Sequence, residues 1–355
     1  EVLDNSMDEA VAGHATRIEV ILQADNRLTI IDNGRGIPVD PHPKFPGKSA
    51  LEVIFTTLHS GGKFSGKAYQ TSGGLHGVGI SVVNALSIDT EVEVALNREL
   101  YRQRFSQGHS LGPLEKVGAA PNRRGTTISF TPDSEIFGEL KFKPARLHRL
   151  ARSKAYLFAG VEIRWKCDPS IITDDTPAEA IFQFPGGLSD HLKEQLGERE
   201  CATAEFFRGT QDFPESAGRV EWAVAWPLWS DGSNSWYCNT IPTPDGGTHE
   251  AGLRGALTKG IRAFGDLVGQ KKAKDIQTDD IMSGCELMLS VFIRDPHFQS
   301  QTKDRLTSPE AARLVEAAMR DHFDHFLADN MDRGKALLGH VLERMDERLR
   351  RKQEK

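Results

Sequence analysis

The N-terminal stretch of the chain places a carboxylate, an amide and a second carboxylate at helical spacing. Glu1, Asn5 and Asp8 fall within roughly 60° of one another on a helix, because successive residues turn by about 100°. A carboxylate can accept a proton from an attacking water, and an amide oxygen is a hard ligand suited to Mg²⁺. The ordinary alternative is a solvated polar helix face, and these three residues alone do not exclude it.

A second group of residues follows a predicted strand, in the sequence IIDNGRGIP from Ile30 to Pro38. Asp-Asn-Gly after a strand is most often a turn, because Asn and Gly tolerate a positive φ. An aspartate at the strand end also suits a planar, amine-bearing ring, because its carboxylate can accept a hydrogen bond from the amine. The apolar Ile37-Pro38 pair would contact the face of such a ring.

The third group is a glycine-rich loop that runs into a predicted helix. Seven glycines fall within 19 residues, at positions 61, 62, 66, 73, 74, 77 and 79. Glycines let backbone N–H groups converge on an anion, and the following helix adds the positive end of its dipole. Lys63 and Lys67 supply charge nearby. The pattern therefore favours phosphate binding over a plain surface loop.

Part of this loop nearly matches the P-loop pattern. Gly61-x4-Gly66-Lys67 fits, but Ala68 stands where a Ser or Thr hydroxyl would hold Mg²⁺. A helix rather than a strand is predicted before it. These two departures exclude a P-loop kinase.

Composition limits the class of protein. A chain of 355 residues suggests two domains, because single cores rarely grow past about 250–300 residues. The net charge of −6 argues against DNA binding by bulk electrostatics, so any DNA contact has to be local or lie elsewhere in the protein. No run approaches the roughly 20 apolar residues of a membrane span, so we expect no membrane partner.

Two further features concern the cellular compartment of the protein and the extent of the given sequence. The four cysteines are widely spaced and fit neither a zinc site nor a disulfide framework, which favours a reduced, cytoplasmic protein. The chain opens on Glu1 within a helical pattern, which we interpret as a piece of a longer protein.

The three groups need elements that bring them together. The hydrophobic pattern predicts helices at 1–13, 49–58 and 80–86, and strands at 17–23, 27–32, 91–96, 101–105 and 126–131. Helices covering one face of a mixed sheet would form an α+β layer.

A second layer is predicted after the turn at 184–187. Strands at 220–225 and 286–293 flank a helix at 248–264, which suggests a right-handed βαβ crossover. Thr307 and Glu310 stand at capping-box spacing with Pro309 in the first turn, which predicts a helix start.

Taken in order, the three groups resemble the Bergerat ATP-binding fold. The pattern is Glu1-x3-Asn5-x2-Asp8-Glu9, then Asp32-x-Gly34-x-Gly36, then Gly73-Gly74-x-His76-Gly77-x-Gly79. Gyrase-type topoisomerases, HSP90-type chaperones, MutL-type repair proteins and histidine kinases share that fold.

Three further segments narrow the resemblance to the B subunits of bacterial type IIA topoisomerases, over essentially the whole chain. They are SGGLHGVGISVVNAL at 72–86, GGTH at 246–249 and QTK at 301–303. Tyr69-Gln70 and FIRDP at 292–296 resemble the B subunit of topoisomerase IV (ParE-type) more than the B subunit of gyrase.

The resemblance implies an α+β fold in three parts. These are a Bergerat (GHKL) ATPase α/β sandwich at 1–186, a βαβ transducer domain of the ribosomal S5 domain 2-like type at 187–335, and a helical arm or linker at 336–355.

The resemblance also implies roles for individual residues. Glu1 would be the general base, Asn5 the Mg²⁺ ligand and Asp32 the adenine-binding carboxylate, while Gln301 and Lys303 would reach the γ-phosphate of ATP from the second domain. The other implied nucleotide-binding positions are Asp8, Arg35, Gly36, Ile37, Pro38, Lys63, Tyr69, Gly74, Leu75, His76, Gly77, Val78, Gly79, Ile80 and Thr126.

The implied activity is ATP-driven closure of a clamp, made by two copies of this chain's parent protein, around double-stranded DNA. The A subunit of topoisomerase IV or of gyrase would be the partner. Coumarin-type inhibitors are implied ligands, although Leu96 stands where the family usually has an arginine that grips these drugs.

Departures from the family leave alternatives open. The family's N-terminal arm and a histidine partnering the base would lie before Glu1, so we expect this piece to bind nucleotide but to dimerise and hydrolyse ATP poorly. The alternatives are the B subunit of gyrase, a chaperone or repair ATPase of the same fold, and a nucleotide-sensing module without turnover. The QTK segment argues against the chaperone and repair classes.

Overall fold

The computed structural model describes residues 1–58 and 79–354, and the chain forms two compact units. Unit 1 is Glu1–Gly187 and unit 2 is Leu188–Lys355.

The described part of unit 1 contains a nine-stranded mixed sheet. Its strands are β1 (Arg17–Leu22), β2 (Leu28–Asp32), β3 (Ser87–Leu96), β4 (Glu99–Ser106), β5 (His109–Ser110), β6 (Glu115–Ala119), β7 (Gly125–Pro132), β8 (Glu162–Cys167) and β9 (Glu179–Phe182). Their order is β5-β4-β3-β7-β2-β1-β8-β9, and β6 pairs with β4. The β1–β8 pair is parallel, and its neighbours in the described sheet pair antiparallel.

The described part of unit 1 also contains helices. They are α1 (Val2–Val11), α2 (Ala50–Thr56), α3 (Gly79–Ala85), α4 (Ser134–Phe137) and α5 (Pro144–Leu157). α1 buries Val2, Leu3, Met7 and Ala10, which recur at helical spacing, and α5 packs on β8. The predicted helices and strands of this half are present, within a few residues. Neither α5 nor β8 was predicted.

Unit 2 is built on a five-stranded sheet in the order β10-β11-β14-β12-β13. The strands are β10 (Phe207–Asp212), β11 (Gly218–Ala225), β12 (Ser233–Cys238), β13 (Ile241–Pro242) and β14 (Glu286–Ile293). The helices are α6 (Leu188–Leu196), α7 (Thr248–Leu267), α8 (Thr278–Met282), α9 (Pro309–Asp329) and α10 (Met331–Gln353). All eight residues of β14 are buried, as expected for a central strand.

The predicted crossover exists, but its first strand is not the one that the sequence suggested. The strand predicted at 220–225 lies in β11, which pairs antiparallel with β14. The parallel partner of β14 is β12, so the βαβ unit is β12-α7-β14. β12 was missed because Ser233, Asn234 and Ser235 give its first half no apolar alternation.

The predicted capping box at Thr307 is wrong. α9 begins at Pro309, and Ser308 is the residue before it, without a side-chain cap bond. The Ser308 hydroxyl instead accepts a hydrogen bond of 2.8 Å from the backbone N–H of His297. The serine therefore ties the preceding loop together and leaves the helix end uncapped.

The segment predicted as an arm at 336–355 belongs to α10. Its apolar side chains Leu337, Leu338, Val341 and Met345 are buried in the hydrophobic core of unit 2. Within residues 1–58 and 79–354, no helix has the length and apolar character that crossing a membrane requires.

Candidate functional site

The centre of the site in unit 1 is Asp32, the last residue of β2. Its side chain is buried, with 8% exposed. Ser6 donates to Oδ2 at 2.8 Å, while the backbone N–H groups of Gly34 and Thr126 donate to Oδ1 at 2.9 and 3.4 Å. Burial raises the pKa of Asp32 above its ordinary value, the three hydrogen bonds oppose the rise, and the nearby charge of Glu9 adds to it.

The start of β7 lies close against the backbone of Asp32, because Gly125 has no side chain. Its φ is +112°, and a Cβ there would overlap the carbonyl oxygen of Asp32. The next residue, Thr126, then bonds in two directions. Its N–H donates to Asp32, and its Oγ1 accepts a bond of 3.2 Å from the N–H of Ile37.

The loop after Asp32 is held on α1 by Glu9 and Arg35. The backbone N–H of Arg35 donates to Glu9 Oε2 at 3.0 Å, and its guanidinium donates to both carboxylate oxygens, at 3.2 and 2.7 Å. Bidentate pairs of this kind are geometrically specific. The structure thus gives the Arg35 side chain a partner within the protein, while the predicted contact with a nucleotide stays a prediction.

The predicted polar face of α1 is not uniformly solvated. Glu1 is exposed and Asn5 half-buried, but Asp8 is only 4% exposed and lies with the core side chains. Ser6, which was not predicted, provides the contact with Asp32. No sequence signal marks it, because the contact depends on how α1 packs against β2.

Glu1 lies against the first residue of α3. A Cβ at Gly79 would overlap Oε2 of Glu1. The carboxylate predicted to be a base is therefore next to the point where the glycine-rich loop ends. Ile80, also predicted for the site, is buried. The other predicted loop positions, Lys63, Tyr69, Gly74, Leu75, His76, Gly77 and Val78, lie outside the described residues.

The donor set around Glu1 and Asn5 fits Mg²⁺ of the nucleotide-bound kind. In the described ranges, no group of three or more His, Cys, Asp or Glu side chains could hold a metal ion. Mg²⁺ bound with a nucleotide needs only one or two protein oxygens, because phosphates and water complete its shell. The Asn5 amide, one helical turn from Glu1, can supply such an oxygen.

In unit 2, Gln301 and Lys303 lie on one loop between β14 and α9. Phe298 and Leu306 bridge its base antiparallel, and the N–H of Lys303 donates to the Ser300 carbonyl at 3.0 Å. Lys303 has a φ of +62°, which is unusual for a residue with a side chain.

The segment before α7 supports the base of this loop. Gly247 bridges Leu306 in parallel, and the N–H of Thr248 donates to the Leu306 carbonyl at 3.1 Å. Behind it, the buried His249 bonds through Nε2 to Thr243 Oγ1 at 3.0 Å. The GGTH segment thus contacts the base of the loop that carries QTK.

Comparison with known proteins gives this arrangement its family. Residues 1–136 match the family described as "Histidine kinase-, DNA gyrase B-, and HSP90-like ATPase", and residues 187–355 match "DNA gyrase B". The B subunit of DNA topoisomerase 4 from Bartonella bacilliformis is 55% identical over the whole chain, which covers 52% of that relative. The chain spans about half the length of the curated relatives it matches.

Two solved structures are similar over nearly all of this chain. One is the 43K ATPase domain of Thermus thermophilus gyrase B in complex with an aminocoumarin, 34% identical with a TM-score of 0.78 over 99% of this chain and 90% of that one. The other is the topoisomerase IV ATP binding domain of Francisella tularensis in complex with a small molecule inhibitor, 30% identical with a TM-score of 0.81 over 98% and 91%.

The site and these matches define a GHKL-fold ATPase region. The chain belongs to the B-subunit family of bacterial type IIA topoisomerases, and curated relatives at 47–55% identity are B subunits of topoisomerase IV. The predicted fold class and family are confirmed.

Proposed function

We propose that unit 1 binds ATP with Mg²⁺ and that its hydrolysis drives the clamp of a topoisomerase IV-type enzyme. The observation that carries the proposal is Asp32, a buried carboxylate fixed by three hydrogen bonds at the end of β2. Its rigid position beside Thr126 and Ile37 suits recognition of the adenine amino group, because a preorganised acceptor loses little freedom on binding.

Hydrolysis would begin with Glu1 taking a proton from the attacking water. Its place beside Gly79, at the end of the glycine-rich loop, supports this role. Asn5 would hold Mg²⁺, which supplies charge compensation for the phosphates when bound. The Lys303 loop would complete the site from unit 2 and make the clamp sensitive to the γ-phosphate.

The whole-protein activity follows from the family. Two copies of the full-length protein, together with the A subunit, would pass one double-stranded DNA segment through another and so decatenate or relax DNA. The topoisomerase 4 B subunits among the relatives support this assignment over gyrase. A cytoplasmic location accords with a DNA substrate.

The experiment is a titration of the chain with a non-hydrolysable ATP analogue, with and without Mg²⁺, beside hydrolysis assays of the full-length protein. We expect Mg²⁺-dependent binding, loss of binding in Asp32→Ala, and binding without turnover in Glu1→Gln. Unchanged hydrolysis in Glu1→Gln would refute the base assignment. Binding without any hydrolysis in the unsubstituted protein would instead indicate a nucleotide-sensing module.

A further inference from the structure

A run of cations without acidic residues lies around the start of α5. Residues 140–161 contain six lysines and arginines and no aspartate or glutamate, although the whole chain has a net charge of −6. Four of these side chains are exposed and form what we call the α5 cationic surface: Lys141, Lys143, Arg146 and Arg149.

These four cations have no ion-pair partner among the described residues, whereas other arginines of unit 1 do. Arg102 pairs with Glu93 at 2.7 Å, and Arg104 pairs with Asp89 at 3.1 Å. Near the α5 cationic surface, Asp174 has a weaker electrostatic influence on Arg149, and Glu139, two residues before Lys141, is exposed. In the described part of the chain, no ion pair therefore neutralises these four cations, and they can contact an external partner.

The charge does not serve the stability of α5. Lys143 precedes the helix without making a side-chain cap bond, and the first turn contains no acidic residue. Cations near a helix N-terminus oppose the helix dipole and so destabilise the helix. A purely structural role would favour the opposite charge at this place.

The surface is firmly attached to the sheet. The N–H of Phe142, between the two lysines, donates to Asn26 Oδ1 at 2.8 Å, and the Phe142 ring packs edge-on against Phe130 with centroids 6.0 Å apart. Arg146 and Arg149 are three residues apart and so lie on one side of the helix. The four charges therefore form an array on a backbone that is held against the sheet.

This array lies at the end of the sheet remote from the proposed nucleotide site. Asn26 is in the turn that follows the Leu22–Leu28 pair, while Asp32 pairs with Ile18 at the other end of the β1–β2 ladder. Four residues of strand separate the two pairs, or roughly 13 Å. The same helix reaches α1 through the buried Lys154, whose Nζ bonds Asp4 Oδ1 at 2.9 Å. The two lysines beside Asn26 are thus remote from an ATP bound at Asp32.

We propose that the α5 cationic surface binds the phosphate backbone of double-stranded DNA. Exposed lysines and arginines without an ion-pair partner in the described chain suit sequence-independent contacts to regularly spaced phosphates. The inference rests on the proposed function only in taking duplex DNA as the polymer that the protein handles. The surface would supply a local DNA contact of the kind expected for a chain with an acidic net charge.

The test is fluorescence anisotropy of a labelled duplex of about 20 base pairs, titrated with the chain over a series of NaCl concentrations. The test variant is K141Q/K143Q/R146Q, because glutamine keeps the helix propensity of lysine and arginine. The control is K271Q/K272Q/K274Q, which removes the same charge from an exposed segment of unit 2.

We expect the affinity of the test variant for DNA to fall at least about tenfold. The slope of log K against log salt should become shallower by about 2.7, because each of three lost phosphate contacts contributes about 0.9. The control should change affinity by less than about threefold. Equal losses in both variants would assign binding to overall charge and overturn the proposal, as would an unchanged test variant. Binding of a non-hydrolysable ATP analogue, measured in parallel, should be unchanged; this separates a failure here from a failure of the proposed function.

A second measurement needs no substitution. Acetylation of surface lysines, followed by mass spectrometry, should show Lys141 and Lys143 protected by duplex DNA and Lys271 unprotected. Protection of Lys271 alone would overturn the proposal. Protection of Lys141 by an acidic polypeptide such as polyglutamate but not by DNA would show that the surface binds a protein, and would overturn it as well.

Discussion

Ser6 donates a hydrogen bond of 2.8 Å to Asp32 and so joins α1 to the end of β2. Ser6 follows Asn5 directly on the helix that begins beside Glu1. One bond therefore connects the proposed adenine-binding carboxylate with the element that carries the proposed base and metal ligand. The two halves of the site are fixed to each other before any nucleotide arrives.

Replacing Ser6 with alanine should weaken both the fold and the site. Asp32 Oδ2 would lose its hydroxyl donor in a buried place, at a cost of about 1–3 kcal/mol in the free energy of unfolding. We expect weaker binding of an ATP analogue as well, because α1 loses its tie to β2. Ser106→Ala is the matched control, since its hydroxyl bonds the Ile88 carbonyl at an exposed position. Denaturant unfolding that does not distinguish the two variants would contradict the role of Ser6.

Asp32→Asn should stabilise the protein at pH 8 while weakening nucleotide binding at least about tenfold. The amide Oδ1 can still accept from Gly34 and Thr126, and the Ser6 hydroxyl can rotate to accept from Nδ2. The substitution removes the cost of burying a charged carboxylate. That cost is the reason why the pKa of Asp32 is raised.

The pH dependence has a definite sign. Because the folded pKa of Asp32 is raised, its contribution to stability is fully present below its ordinary value of 3.8 and is lost as pH rises through the folded pKa. Thermal melts should therefore show the gain of the asparagine variant at pH 8 and a shrinking gain as pH falls. A gain that does not depend on pH would show that the buried charge is not its origin.

Gly79→Ala should impair hydrolysis more than folding. The new Cβ would overlap the Glu1 carboxylate, which has to move away from the end of the glycine-rich loop. We expect kcat of the full-length protein to fall about tenfold or more, because small displacements of a base are costly. Gly339→Ala is the control: nothing lies within 4 Å of its added Cβ, and in a helix alanine gains about 0.5–1 kcal/mol over glycine. Normal hydrolysis in Gly79→Ala would remove Glu1 from the mechanism.

The sequence predicts those features that depend on local pattern. The helix bearing Glu1 and Asn5, and the strand ending at Asp32, follow from apolar periodicity and turn residues. Features that depend on packing are not predictable in this way. The Ser6–Asp32 bond joins residues 26 apart, and Gly125 meets Asp32 only because β7 pairs with β2.

Where the prediction from local sequence pattern was wrong, a tertiary contact determined the hydrogen bonding or conformation of the residue. The sequence predicts Thr307 as the cap of α9, yet the residue before the helix is Ser308, whose hydroxyl accepts from the His297 N–H instead of capping. β12 lacks apolar alternation at its start because Ser233 and Asn234 are exposed there, and its strand conformation comes from pairing with β14. Such competition between local and long-range partners cannot be read from one sequence.

Leu96→Arg should strengthen binding of coumarin-type inhibitors. Leu96 ends β3 beside the loop after Asp32, because a Cβ at Gly36 would lie 3.7 Å from Leu96 Cβ. An arginine there could reach an inhibitor at the edge of the site and donate up to five hydrogen bonds. Calorimetric titration with an aminocoumarin should show an affinity gain of about tenfold, as one charged hydrogen bond supplies. Leu96→Gln, which adds polarity without charge, should gain less affinity for the aminocoumarin. Unchanged affinity in Leu96→Arg would refute the placement of residue 96 beside the inhibitor.

His249 should make the stability of unit 2 depend on pH. Its imidazole is fully buried, and that burial lowers its pKa to about 3. In the unfolded chain, where the pKa of His249 is near 6.5, the imidazole takes up a proton at a pH at which the folded protein keeps it neutral. The contribution is therefore present above pH 6.5 and is lost as pH falls toward 3. Between pH 7.5 and pH 5 the loss should be about 2 kcal/mol.

Denaturant unfolding of wild type and His249→Gln over this range measures the effect. The glutamine variant should be less stable at pH 7.5, because its shape differs in a packed site next to Trp236, but it should lose about 2 kcal/mol less on acidification. His325→Gln, at a side chain 78% exposed, is the control substitution. Since His249 lies behind the segment that supports the Lys303 loop, acidification should also lower the affinity for an ATP analogue in wild type more than in the glutamine variant. Parallel pH profiles for the two proteins would mean that His249 does not control this loop.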